Sequence, residues 1–180
     1  MPARFRMLVL AFTLLGVTFT PAAAQDPAHF VVSIDPEVIH PGETAIVWID
    51  VRLDDDWHIY SATTPPGGPF PTEISLETGQ LAQVGPVIQP EPVTEHDPNF
   101  DLAVEYYGES VRFGVRARVS EDASTGPVDV AGGITYMLCN ESSCLPPTTK
   151  SFVIGVRIAQ GPIRDAYTFA RVEPTSPAQT

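Results

Sequence analysis

The stretch Val111-Arg112-Phe113-Gly114-Val115-Arg116-Ala117-Arg118-Val119 decides the fold of this chain. Its apolar residues occupy every second position, as they do when successive side chains of a β-strand point to opposite faces of a sheet. The same alternation, or a shorter run that fits it, recurs at residues 30–34, 47–53, 57–60, 128–138 and 152–158. Period-two patterns with one apolar face indicate half-buried strands, and no stretch after residue 24 has a convincing helical period.

Proline and glycine separate these runs. The chain has 19 prolines and 13 glycines, and turn residues cluster at positions 41–42, 65–71, 85–86 and 126–127. Short strands divided by such turns predict an all-β, immunoglobulin-like antiparallel β-sandwich in a single domain. The disulfide that often joins distant strands of that fold is not expected, because Cys139 and Cys144 lie too close together in sequence.

The first residues predict export. Arg4 and Arg6 precede an apolar run of about 13 residues, and Ala22-Ala23-Ala24 follows it, which is the three-part pattern of a secretory signal peptide. The run is shorter than the ~20 residues that a membrane-spanning helix needs. We therefore predict a cleaved signal peptide at 1–24, a domain at 25–160, and a C-terminal tail at 161–180, where the alternation is lost.

The charge of the exported chain excludes one class of function. Removal of Arg4 and Arg6 leaves 8 basic residues against 22 acidic ones, a net charge of −14. Such a surface repels nucleic acid and anionic lipid, so we expect no nucleic-acid partner and no membrane insertion after cleavage. No Ser-His-Asp arrangement, phosphate loop or paired-carboxylate motif indicates another enzyme class, and no cofactor is predicted.

The two cysteines are the chemical centre of the sequence. Four residues separate Cys139 from Cys144, and export favours a disulfide. The likeliest geometry from the strand pattern is a hairpin whose arms bring the two sulfurs together. Closing a six-residue ring stabilises the fold by only ~2 kcal/mol, against ~4 kcal/mol for a bond across a domain.

Three interpretations of this pair remain open from the residues alone. A hairpin tip leaves a sulfur open to attack by another thiolate, which favours redox exchange. The bond could instead be a structural staple in a passive binding module. A third possibility is Cu(I) handling, with Met137, Cys139 and Cys144 as soft ligands and His58 as a fourth.

A resemblance to a known family favours the first interpretation. The motif Tyr136-Met137-Leu138-Cys139, four residues, then Cys144-Leu145-Pro146-Pro147-Thr148 resembles the N-terminal periplasmic domain of the thiol:disulfide interchange protein DsbD. Residues 57–61 resemble the aromatic strand of that family beside its cysteines. Residues 105–108 resemble its cap loop, whose aromatic ring covers the disulfide.

The resemblance implies a periplasmic thiol:disulfide oxidoreductase of the protein-disulfide reductase type. Its partners would be the thioredoxin-like domain of a membrane electron carrier and oxidised periplasmic thiol proteins, and we expect a monomer. By position, Cys144 would form the mixed disulfide with a partner and Cys139 would resolve it. Tyr106 would be the cap aromatic, and Glu105 the carboxylate beside the site.

Two further positions are candidates for supporting roles. His58 and Tyr60 alternate with Trp57 and Ile59, so they should project from the face opposite the core. They are either beside the disulfide, where an imidazole or hydroxyl can orient a thiolate, or simply exposed. The chain departs from the family pattern at Val104, where an acidic residue would precede Glu105, and it has one residue fewer between its cysteines.

Overall fold

The computed structural model describes residues 26–77, 79–98 and 100–169, and most of them lie in strands. The predicted signal peptide at 1–24 lies outside the described residues. The elements, in chain order, are β1 (Ala28–Asp35), β2 (Val38–Ile39), β3 (Thr44–Leu53), β4 (His58–Tyr60), β5 (Glu73–Leu76), β6 (Leu81–Ile88), β7 (Val93–Asp97), β8 (Leu102–Gly108), β9 (Ser110–Val119), β10 (Gly126–Tyr136), β11 (Leu138–Cys139), β12 (Thr148–Ile158) and the 3-10 helix Asp165–Tyr167. Among the described residues, no helix is long and apolar enough to cross a membrane.

These strands form three four-stranded sheets, in the orders β1-β3-β9-β6, β2-β12-β10-β5 and β11-β4-β8-β7. The long neighbours pair antiparallel, as β3 does with β9 and β10 with β12. The two-residue β2 is an exception and runs parallel to β12. The first two sheets enclose a common core, and the prediction of an immunoglobulin-like β-sandwich is confirmed.

The alternation that predicted the strands also builds this core. In β9 the apolar set of residues 111, 113, 115, 117 and 119 is buried, and β3 supplies five buried residues with the same spacing. They pack in one cluster with residues of β10 and β12 such as Val130, Ile134 and Val156. Each large apolar side chain removed from water contributes roughly 1.5–3 kcal/mol, so the sandwich has a core that does not depend on the cysteines.

The third sheet lies against one end of the sandwich and has two different faces. Ile59, Tyr107 and Leu138 point into the main core. Tyr60 and Cys139 belong to a separate small cluster on the opposite face. Neighbouring residues of its strands point alternately into the main core and into the small cluster. The sheet therefore connects the cysteine pair directly to the main core.

Three expectations about local structure are corrected. Gly85-Pro86 is part of β6 and not a turn: Gly85 has φ +74, and the pairing of β6 with β9 shifts register between Val84 and Ile88. Such an irregularity accommodates proline on the edge strand of a sheet. Gly126-Pro127, also expected to be a turn, begins β10, where these residues pair with the end of β12. Residues 105–108, expected to form a cap loop, are in β8. The edge strands β5 and β7 were not anticipated at all.

Residues 161–169 of the predicted tail pack on the domain, and their main contact is an ion pair. The Glu43 carboxylate is fully buried and accepts hydrogen bonds from the Nη2, the Nε and the backbone N–H of Arg164 at 2.6, 2.9 and 2.7 Å. The backbone N–H of His40 donates to the same carboxylate at 2.9 Å. These donors lower the pKa of Glu43 to about 2, so the carboxylate is charged and fully satisfied.

We predict that Arg164→Ala lowers the free energy of unfolding by about 1–3 kcal/mol, because it leaves a buried carboxylate without its main donors. Since the pKa of Glu43 is depressed in the fold, the stabilisation is present above about pH 4.5 and is lost as the pH falls towards 2. Urea denaturation at a series of pH values measures both effects. Arg112→Ala, which breaks the exposed pair with Asp50, is the matched control and should change stability by less than about 1 kcal/mol.

Candidate functional site

The two cysteines form a disulfide across a tight hairpin. Their Cα atoms are 4.1 Å apart, and they pair as an antiparallel bridge. The backbone N–H of Leu145 donates to the carbonyl of Leu138 at 2.8 Å, and the side-chain oxygen of Asn140 accepts two N–H groups at the hairpin tip. The structure thus has the hairpin that the sequence predicted.

The two sulfur-bearing residues differ in exposure. Cys139 is fully buried, in a cluster with Tyr60 and Val104. Cys144 is partly exposed and packs on the rim of that cluster. Cys144 is therefore the more accessible of the two residues.

His58 and Tyr60 both lie on the disulfide face of β4, but they are not simply exposed. His58 pairs with Cys139 across the β11–β4 register, and Tyr60 is fully buried. The Tyr60 hydroxyl donates to the Asp97 carboxylate at 2.7 Å and lies 3.1 Å from Nε2 of His58. The three side chains form a continuous hydrogen-bonded chain beside the buried cysteine.

Burial controls the titration of this chain. It lowers the pKa of His58, and the nearby charge of Asp97 opposes the shift without cancelling it. Burial, together with the hydrogen bond to Asp97, raises the pKa of Tyr60 far above its usual range. The imidazole is therefore neutral and the phenol protonated at neutral pH.

Of the two adjacent tyrosines in β8, Tyr106 is the one on the disulfide face. Its ring centroid lies 4.9 Å from that of His58, and its hydroxyl donates to Glu95 at 2.7 Å. That hydrogen bond and partial burial raise the pKa of Tyr106 to about 12. Tyr107 points the other way, into the main core against Phe113.

Glu105 lies on the opposite side of β8 from Tyr106. Its carboxylate accepts hydrogen bonds from Ser61 Oγ at 2.9 Å and Thr63 Oγ1 at 2.5 Å, so it holds the loop after β4. Glu105 and Tyr106 lie on opposite sides of β8 because neighbouring side chains of a strand point to opposite faces. The sequence placed Glu105 beside the disulfide, whereas the structure gives it this loop contact.

The carboxylates on the disulfide face come from β7 instead. Glu95 pairs with Val104 across the β7–β8 register, so an acidic side chain lies directly beside the position where the family pattern expected one. Asp97 follows on the same face and is buried. No motif identified these two residues, because β7 is an edge strand without an apolar pattern.

A groove of about 460 Å³ runs over this face from the hairpin to β7. Its lining includes His58, Tyr106, His96 and Asn140. It also includes four carboxylates, those of Asp56, Glu95, Asp97 and Glu141. The groove beside the tip of the cysteine hairpin is thus strongly acidic.

The site offers no evident metal centre. Within the part of the chain that the structure describes, no group of three or more His, Cys, Asp or Glu side chains is placed to hold a metal ion. The sulfur of Met137 accepts a hydrogen bond from the backbone N–H of Phe70 at 3.4 Å, and both cysteine sulfurs are joined to each other. Met137 packs on the same small cluster as the two cysteines.

The fold and the site together define a β-sandwich domain for thiol–disulfide exchange. Residues 23–155 match the family described as thiol:disulfide interchange protein DsbD, N-terminal. The chain belongs to that family, and the resemblance stated from the sequence is confirmed. No similar protein was found among curated proteins.

The solved structures that are similar to this chain include two N-terminal domains. The N-terminal periplasmic domain of ScsB from Proteus mirabilis has a TM-score of 0.50 at 16% identity, over 76% of this chain and 49% of that one. At this identity the likeness concerns the fold, and this chain spans about half the length of the ScsB structure. The reduced DsbD N-terminal domain of Neisseria meningitidis has a TM-score of 0.47 at 17% identity, over 71% of this chain and 86% of that one.

We predict that Glu95→Gln increases the reactivity of Cys144 in the reduced domain, because a nearby carboxylate disfavours the thiolate. The expected increase in the rate of alkylation by iodoacetamide at pH 8 is roughly threefold, the equivalent of half a pK unit. Glu105→Gln, the matched control on the other side of β8, should leave the rate unchanged. Equal acceleration by both variants would contradict the assignment of the two faces.

Proposed function

We propose that this domain relays electrons in the periplasm from the thioredoxin-like domain of a membrane electron carrier to oxidised periplasmic thiol proteins. The observation that supports it best is the asymmetry of the disulfide, with Cys144 partly exposed and Cys139 fully buried. One reachable sulfur and one shielded sulfur are what an ordered, two-step exchange requires. Export through the predicted signal peptide would bring the domain to the periplasm. We propose that it acts there as a monomer.

In the first half of the cycle a donor thiolate attacks Cys144. The Cys139–Cys144 bond breaks, Cys139 leaves as a thiolate and is protonated, and the donor is held as a mixed disulfide. The second thiol of the donor then attacks its own bound sulfur. The donor departs oxidised, and both cysteines of the domain are reduced.

In the second half the reduced domain acts on an oxidised protein. The Cys144 thiolate attacks the disulfide of that protein and releases one of its sulfurs as a thiol. Cys139 then attacks Cys144, which releases the second thiol and restores the disulfide. Two electrons pass to the substrate in each cycle.

Two features support an exchange role over a structural one. The ring closed by the bond is short, so its entropic contribution is only ~2 kcal/mol. The sandwich has its own core, to which the cysteine cluster is an addition. In this proposal Tyr106 limits access to the disulfide from the groove side, and Glu95 and Asp97 supply the negative charge that the sequence assigned to Glu105.

The acidic groove supports a partner with a basic docking face. Four carboxylates line it beside the hairpin, and complementary charge accelerates encounter and suppresses the approach of like-charged partners. We propose that both the donor and the oxidised substrates present positive charge near their reacting cysteines.

Trapping tests the order of attack. The reduced Cys139→Ser variant should accumulate a mixed disulfide between Cys144 and an oxidised substrate protein, visible on a non-reducing gel, because the thiol that resolves this adduct is missing. Cys144→Ser is the matched control and should trap nothing, since the buried Cys139 is out of reach. Trapping by Cys144→Ser alone would reverse the two roles.

The reduction potential tests the function itself. A value within the range of exchange catalysts, about −120 to −270 mV, is expected from equilibration with glutathione or thioredoxin. A potential below about −300 mV is typical of a structural bond and would exclude the relay.

A charge-selection experiment tests the docking proposal. The reduced domain should react faster with cystamine, a dication, than with 3,3′-dithiodipropionate, a dianion, and added salt should reduce the difference. Glu141→Lys in the groove should shrink the rate ratio by roughly threefold or more. Glu73→Lys on the exposed side of β5 makes the same change of charge elsewhere and should leave the ratio unchanged.

A further inference from the structure

The hydrogen-bonded chain beside Cys139 fixes the tautomer of an imidazole. The single hydroxyl hydrogen of Tyr60 is donated to Asp97, so the Tyr60 oxygen is left to accept a hydrogen bond from His58. The nitrogen that reaches this oxygen is Nε2, at 3.1 Å, and it must therefore bear the hydrogen. In the neutral ring the other nitrogen, Nδ1, is then a proton acceptor.

The position of this acceptor follows from the strand register. His58 is directly opposite Cys139 in the pairing of β4 with β11, on the same face of the sheet. Directly opposed residues of antiparallel strands have Cβ atoms about 4.5–5.5 Å apart. The imidazole therefore belongs to the residue directly across from Cys139 on the same face, and Tyr60 and Asp97 hold its orientation through their hydrogen bonds.

The chemistry of the relay creates a need for a base at this place. Cys139 is fully buried against Val104 and Tyr60, and a thiol in apolar surroundings is reluctant to ionise. Yet it must become a thiolate to attack the mixed disulfide at Cys144, and water does not reach it. A neutral imidazole in the neighbouring position can take the proton of the Cys139 thiol without adding a permanent charge to the cluster.

We propose that His58 is the general base for the resolving step, held in its proton-accepting tautomer by Tyr60 and Asp97. The inference rests on the proposed electron relay and assigns the proton of its second half. Nδ1 takes the proton from Cys139 as its sulfur attacks Cys144. The bond between Cys144 and the partner breaks, the partner leaves as a thiolate, and the imidazolium returns the proton to that sulfur or to water. His58 is the catalytic residue, and Tyr60 and Asp97 are positioning residues.

Other charged and titratable groups also face His58. They are Asp56 before β4, Tyr106 on β8, Glu95, His96 and Asp97 on β7, and Glu141 in the hairpin. The carboxylates favour the imidazolium, whereas burial disfavours it and is the larger effect, so the pKa of His58 lies below its usual value. The base is accordingly active at neutral pH and is lost only when the pH falls below that lowered value.

Single-turnover kinetics with 4,4′-dithiodipyridine tests the proposal. This neutral disulfide releases one chromophoric thiopyridone when Cys144 attacks and a second when Cys139 resolves the adduct. His58→Gln, which can still donate to Tyr60, should slow the second release at least tenfold at pH 7, within the usual range for loss of a general base. The first release should change by less than about twofold, and mass spectrometry should show the accumulated adduct.

Two further variants separate catalysis from structure. His29→Gln changes an exposed histidine that pairs with Asp54 and does not line the groove, and both releases should keep wild-type rates. Tyr60→Phe should slow the second release to an intermediate extent, since the ring remains but its tautomer is no longer fixed. In the pH profile of the second release, the wild type should lose rate in acid with the titration of His58, and His58→Gln should lack that inflection.

Three results would overturn the proposal. They are a second release by His58→Gln at the wild-type rate, an unchanged pH profile, and equal slowing of both releases, which indicates a structural role. Failure of the relay is distinct, because it would appear as a wild-type reduction potential below about −300 mV and not as a change in the two release rates.

Discussion

The site depends on the pairing of one very short strand, β4, with β11 on one side and β8 on the other. The middle row of this sheet, formed by Leu138, Ile59 and Tyr107, is buried in the main core. The flanking residues His58 and Tyr60 point to the opposite face, where Cys139 lies. Because the side-chain period of a strand is two, fixing Ile59 in the core fixes both neighbours of Ile59 towards the disulfide. The disulfide is therefore anchored to the core of the sandwich through β4 as well as by the hydrogen bonds of its own hairpin.

The same sheet shows how charge near a site can be supplied from a different strand. Val104 occupies the position at which the family pattern has an acidic residue, and its side chain is buried against Cys139. Glu95 is directly across the register from it, one strand spacing or about 4.8 Å away. Negative charge is thus present on the disulfide face even though β8 itself no longer provides it there.

Sequence reasoning identified the parts of the fold that are governed by alternating burial. The runs in β3, β9 and β12 have an apolar residue at every second position, and the structure uses all three. The cysteine hairpin was also predictable, because its two arms are short and contiguous in sequence. Strands β5, β6 and β7 were missed, since an edge strand makes few apolar contacts and its residues have no pattern that differs from a loop.

The site could be predicted only in part for a related reason. Cys139, Cys144, His58 and Tyr60 were found from local motifs, and alternation placed the last two on the correct face. Asp97 reaches Tyr60 across 37 positions of sequence, which no local pattern reveals. Glu105 was expected beside the disulfide because it is next to Tyr106 in sequence. Both residues are in β8, however, and neighbouring side chains of a strand point to opposite faces.

The ion pair between Arg164 and Glu43 has a consequence for how the domain can be presented to its surroundings. Glu43 immediately precedes β3, whereas the other end of that ten-residue strand adjoins the disulfide sheet through the hydrogen bond of Leu53 to Glu109. At about 3.3 Å per residue the two ends are about 30 Å apart. A surface, bead or fluorescent label attached just after Phe169 would hold the molecule by its far end, with Cys144 directed away from the support and open to macromolecules in solution.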